Sequence, residues 1–253
     1  MKIVIIGGTG GMGKSLMRFF HSKKITTKAI GRATLTPAIH LRSADIVVIS
    51  VPSRALSYAV NLLSGIDLSK KLIVSLGSIM THDQGVLKGL SAPVLHLHQL
   101  FGPQVYPFTH QRMIVSGATK QPFSRFLLSL FKKDNVSIQV LKLSEHDKLM
   151  ASVQALSQFS TISLGKTLSE SGNSMKKLKN GASVTFNMSM EVICRIMAQK
   201  ADLWAFLQFE NPFALKVMEK HLKNVQLMIN MAKNKDYKKF EQFFNKTAKF
   251  WIN

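Results

Sequence analysis

Acidic residues are scarce in this sequence: 13 Asp and Glu stand against 34 Lys and Arg, for a formal net charge of +21. No carboxylate side chain occurs before Asp45. Such an excess can draw nucleic acid, an anionic membrane surface or small anions. The charge is spread, +14 over residues 1–142 (18 basic, 4 acidic) and +7 over 143–253 (16 basic, 9 acidic), and no more than two Lys or Arg residues are adjacent. A dedicated nucleic-acid tail is therefore the weakest reading, and attraction of an anionic small-molecule substrate and nucleotide phosphates the stronger one. Cysteine is almost absent. Cys194 stands alone, which excludes a disulfide framework and a cysteine-rich metal site. No apolar run reaches the roughly 18 residues of a membrane span. The apolar residues 3–6 run straight into glycines and read as a strand rather than a signal peptide, so a cytoplasmic location is expected. Low-complexity linkers and internal repeats are also missing. With 253 residues and 46% hydrophobic content, the chain can fill one large or two medium domains.

What is present begins with a β-branched run at 2–6, followed at once by Gly7-Gly8-Thr9-Gly10-Gly11-Met12-Gly13 and by helical apolar spacing over 14–20. Gly8, Gly10 and Gly13 fit the G-x-G-x-x-G pattern of a dinucleotide-binding turn. The first glycine makes the turn, the second lets backbone approach a pyrophosphate, and the third lets the helix sit close to the strand. Thr9, Gly11 and Met12 complete the expected phosphate cradle. The next strand, 27–30, ends at Gly31-Arg32, where an NAD site would carry an acidic residue for the ribose hydroxyl. Arg32 offers a cation there instead, which favours NADP over NAD.

A buried strand at 44–51 ends in Ser50-Val51-Pro52, another expected cofactor contact, and a helix is expected over 54–63. The strand at 71–76 ends at Gly77-Ser78. The strand 94–99 carries His96 and His98 on one face and stops at Phe101-Gly102-Pro103. Ligands in open parallel sheets bind at the carboxyl ends of strands, which singles out Ser78 and His98. The alternative is that both histidines are half-buried strand residues with local partners. Strands at 112–116 and 136–143 enclose a helix at 123–132. The expected fold is α/β, a Rossmann-like doubly wound, mostly parallel sheet over 1–143 followed by an all-α domain over 144–253. Helices are expected near 160–170, 182–198, 201–208 and 212–233. The aromatic stripe Tyr237, Phe240, Phe243, Phe244, Phe250 and Trp251 reads as a helix face docking on a neighbour, and the helical part as a dimerisation surface for a second copy of the chain.

Taken in order, the glycine-rich turn, Ser50-Val51-Pro52, Ser78, His98 with Phe101-Gly102-Pro103, Glu145-His146-Asp147 with Gln154-Ala155-Leu156, and Arg195-Ile196-Met197-Ala198-Gln199 resemble the prephenate dehydrogenase family. The likeness runs from residue 1 to about 215 and is greatest to the dehydrogenase portion of bacterial chorismate mutase fusions. The resemblance implies oxidative decarboxylation of prephenate with NAD(P) in tyrosine biosynthesis. It also implies His98 as base, Ser78 as its orienting partner and Arg195 as the clamp on a substrate carboxylate. Gln158 stands where the family has a histidine, Met80 where it has a lysine, and Asn187 where it has an arginine. Gln99 replaces a proline, and His96 a glycine. Gln158 and His96 are accordingly expected to meet the substrate. The loss of cations motivates an alternative dehydrogenase for arogenate or another cyclic acid; a further alternative is a non-catalytic nucleotide-binding relative.

Overall fold

A computed structural model describes residues 1–252, which form two compact units, Met1–Met150 and the remainder from Ala151. The first unit alternates strands with helices. In chain order these are β1 (Lys2–Ile6), α1 (Gly11–Ser22), β2 (Thr26–Ile30), α2 (Pro37–Arg42), β3 (Ile46–Ile49), α3 (Leu56–Asn61), β4 (Leu72–Ser75) and α4 (Met80–Leu87). They continue with β5 (Val94–Gln99), β6 (Arg112–Gly117), α5 (Pro122–Lys133), β7 (Ser137–Val140) and α6 (Leu143–Met150). The seven strands form one sheet in the order β2-β1-β3-β4-β5-β6-β7.

Strands β1 to β5 are mutually parallel, β6 runs antiparallel to β5, and β7 is parallel to β6. The reversal has a local cause. Residues 100–111 contain Pro103 and Pro107 and form no helix, so they turn the chain back instead of crossing over.

Leu95 and Leu97 of β5 face a core built with Phe19, Phe20, Phe108 and Phe131, which α1 and α5 help to fill. Opposite them, Val4, Val47 and Ile73 pack with Leu41, Leu56 and Ala59 from α2 and α3. His96 and His98 alternate onto this second face, next to Ser75 and Ile114 in the register.

The division into compact units falls after Met150, a few residues beyond the 143/144 boundary expected where helical periodicity takes over. Helix α6 closes on the first unit: Met150 joins Met80 and Ile114 in a small apolar cluster, and Asp147 bonds the start of α4.

The second unit is helical throughout its described residues. A π-helical turn (Ala151–Leu156) leads into α7 (Ser157–Ser169), α8 (Met175–Asn180), α9 (Val184–Met197), α10 (Ala201–Phe209), α11 (Ala214–Lys233) and α12 (Tyr237–Ile252). Large apolar side chains stay exposed along α11 and α12, among them Leu222, Phe244 and Trp251. No helix among the described residues is long and apolar enough to cross a membrane.

Candidate active site

Strand β1 delivers the chain to the sheet edge at Gly7, whose φ of +83° permits the reversal that a side chain would resist. A Cβ on Gly7 would also lie 2.1 Å from the Ser50 carbonyl oxygen. The turn residue is thus Gly7, which the G-x-G-x-x-G reading passes over in favour of Gly8. Gly13 has the packing role expected of it: a Cβ there would fall 2.3 Å from the Gly7 carbonyl oxygen. Helix α1 begins beyond Gly10 with no side chain capping its first N–H groups, so these remain available to an anion.

Beside this turn lies a cleft of about 250 Å³, lined by Gly7, Thr9, Gly10, Arg32 and Ser50-Val51-Pro52. All of these except Gly7 were expected cofactor contacts. Gly8, Gly11, Met12 and Gly13 do not line it; they shape the turn and the start of α1. Thr34, Pro37 and Tyr58 join the lining, and no signal in the sequence marks them. Among the described residues no carboxylate lines the cleft. A glycine-rich cradle, an uncapped helix start and an arginine at the rim together suit a dinucleotide phosphate chain.

The turn that ends β5 comes back to this cradle. A Cβ on Gly11 would touch Pro103 at 3.1 Å, so Phe101-Gly102-Pro103 lies against the first residue of α1. Just upstream, His98 is buried, with 4% of its surface exposed. Its Nδ1 lies 2.8 Å from Nε2 of His146, and Nδ1 of His146 lies 2.7 Å from Oδ1 of Asp147. Asp147 also accepts the backbone N–H of Met80 (2.9 Å) and of Thr81 (2.9 Å), and the Thr81 hydroxyl. The carboxylate therefore caps α4 while bonding His146. Burial pushes its pKa up, but the hydrogen bonds from His146, Thr81 and Met80 outweigh that and hold it below the ordinary value. Burial, reinforced by His146 and opposed by Asp147, depresses His98 to about 3, so its ring is neutral.

Ser78 sits half-buried in the loop between β4 and α4, at the strand end as expected. The hydrogen bond that orients His98 is shared with His146, however, not with Ser78. His96 departs from the expectation of substrate contact. It is buried, its Nε2 lies 2.8 Å from Oε1 of Gln84 on α4, and burial lowers its pKa to about 4. Helix α4 covers it. Below it, Ser75 donates to Asp83 (2.5 Å), a carboxyl whose pKa burial raises. Met80 is fully buried, where a lysine would have had no water.

In the helical unit, Gln158 is buried and its Oε1 has no hydrogen-bond partner among the described residues. Arg195, the expected clamp on a substrate carboxylate, lies exposed on α9, a helix whose one buried residue is Ile196.

A Rossmann-type sheet with a glycine-rich cradle after β1, a buried histidine near the end of β5 and a helical unit behind it in sequence defines the class. Residues 142–246 match the model of the prephenate dehydrogenase dimerization domain. A probable arogenate/prephenate dehydrogenase of Methanocaldococcus jannaschii is 25% identical over 98% of this chain and 60% of its own length. Two solved structures share the fold with TM-scores of 0.72 at 16% identity. One is the arogenate dehydrogenase of Synechocystis, covering 98% of both chains. The other is the prephenate dehydrogenase of A. aeolicus in complex with hydroxyphenyl propionate and NAD+, covering 100% of this chain and 98% of that one. Residues 142–246 thus match the dimerization domain of prephenate dehydrogenases, and over nearly its full length the chain is similar to arogenate/prephenate dehydrogenases. It spans 60% of the length of the M. jannaschii relative.

Proposed function

We propose that the chain is an NAD(P)-dependent dehydrogenase that oxidatively decarboxylates prephenate, or its amino counterpart arogenate, in tyrosine biosynthesis. The carrying observation is a neutral, hydrogen-bonded His98 on the strand whose terminal turn touches the glycine-rich cradle. The bound nicotinamide would supply the hydride acceptor. His98 accepts the proton of the ring hydroxyl at Nε2, the nitrogen that His146 leaves free. Hydride leaves the same carbon, the ring carboxylate departs as CO₂, and its bonding pair aromatises the ring to a phenolate that takes a proton back. Ser78, at the neighbouring strand end, holds the hydroxyl. Arg195 is the partner for a substrate carboxylate, as a bidentate fork of donors. Residues Gly7 to Gly13 hold the pyrophosphate. Arg32 stands for a 2′-phosphate in a cleft without a carboxylate, which favours NADP over NAD. The helical unit pairs with a second copy of itself, in keeping with the family region it matches.

The test is a set of initial rates with each acid and each nicotinamide. Reduced nicotinamide should accumulate with prephenate or arogenate, faster with NADP. Tight nucleotide binding without turnover on either acid would favour the non-catalytic reading.

A further inference from the structure

The buried chain His98–His146–Asp147 has a direction. Asp147 accepts from Met80 N–H, Thr81 N–H, the Thr81 hydroxyl and the His146 ring. Its carboxyl is held ionised by those bonds against the opposing pull of burial. An ionised carboxylate accepts and cannot donate, so the hydrogen of the His146 ring must sit on Nδ1. With both rings neutral, Nε2 of His146 is then a lone pair. The bond of 2.8 Å between the rings therefore requires the hydrogen on Nδ1 of His98. A neutral imidazole carries one ring hydrogen, so Nε2 of His98 is left as an acceptor. A lone imidazole could hold its hydrogen on either nitrogen, and the hydrogen bond at one end decides the other.

We propose that His146 and Asp147 are positioning residues that lock the tautomer of His98, so that Nε2 presents a lone pair to the substrate hydroxyl. The substrate half of this statement rests on the proposed function; the tautomer half rests on the hydrogen bonds with both rings neutral and Asp147 ionised. The device is anchored in the fold rather than in a mobile loop. Asp147 is tied to the first turn of α4, and His146 is completely buried. The same chain prepares for the proton that His98 receives. The imidazolium formed donates through Nδ1 to His146, and the Asp147 carboxylate lies next in line to offset the charge.

Histidine-selective ¹⁵N labelling of the full chain, with long-range proton–nitrogen correlation, reads which ring nitrogens carry hydrogen. In the unsubstituted protein His98 should show a protonated Nδ1 and a bare Nε2. His146→Leu, which can neither donate nor accept, should let hydrogen onto Nε2 and lower kcat about a hundredfold with little change in KM. His146→Gln can donate to Asp147 and accept from His98, and should recover both the tautomer and part of kcat. A protonated Nε2 in the unsubstituted protein, or an unchanged tautomer in His146→Leu, would overturn the proposal. If His146→Leu does not fold, the unsubstituted spectrum decides by itself. The locked tautomer with no turnover on any acid supports the relay and removes the proposed function.

Discussion

At the scale of single residues, the site stores its histidines in a form that acid disturbs. The folded-state pKa values of His96 and His98, about 4 and about 3, lie below the ordinary 6.5 because burial disfavours their charged forms. As pH falls below 6.5 the unfolded chain binds these protons first, so stability present above that value is lost progressively toward pH 4 and below. Asp83, whose pKa burial raises above 3.8, works in the opposite direction over a window nearer its own titration. Two histidines against one carboxyl predict a net loss. Urea midpoints measured at pH 7 and pH 5 should drop on acidification, and His98→Asn should flatten the drop. An equal drop in that variant would contradict the burial of a neutral His98.

The position of His98 is legible in sequence, because alternation and a Phe-Gly-Pro stop fix which side chain stands at a strand end. The partners of the histidines are not. Gln84 reaches His96, Asp83 reaches Ser75 and Thr81 reaches Asp147 only because α4 folds over the sheet, a set of pairings that no local spacing encodes. His146 and Asp147 are visible as a helix start with acidic residues. That one of them also caps a second helix is not.

Among the elements, α1 carries the heaviest constraint. It must begin at the cradle and lie on the sheet at the same time, and Gly13 is where the two demands meet. Gly13→Ala would set a methyl 2.3 Å from the Gly7 carbonyl oxygen. Backbone on both sides cannot yield as a flexible side chain would, so overpacking should cost about 1–3 kcal/mol or more. Thermal unfolding should shift down accordingly, and dinucleotide affinity should fall with it because the same carbonyl shapes the cradle. An unshifted melting curve would mean that α1 slides without cost.

The central strands and α1 follow from β-branched runs and glycine spacing. By contrast, the antiparallel β6 follows from the lack of a crossover, which a strand-by-strand reading does not weigh. The short α2, α4 and α8 escape a periodicity reading because six to eight residues hold about two turns. The π-helical turn Ala151–Leu156 escapes it too, since its spacing imitates an α-helix to within a residue.

At the scale of the whole molecule, a nucleotide-cradling unit and a helical unit divide the chain after Met150, and the charge of +21 is shared between the two halves. Exposed apolar residues on α11 and α12 suit the proposed pairing with a second copy. An anionic acid and an anionic cofactor both gain from the positive field, which raises encounter rates without specifying a partner. The account as a whole stands on His98 as the proton acceptor of a dehydrogenase. The most direct measurement is the rate of nicotinamide reduction with prephenate or arogenate by the unsubstituted protein and by His98→Asn at saturating cofactor. The account expects turnover in the first and a loss of about a hundredfold or more in the second, with nucleotide binding retained. Equal rates in the two proteins would contradict it.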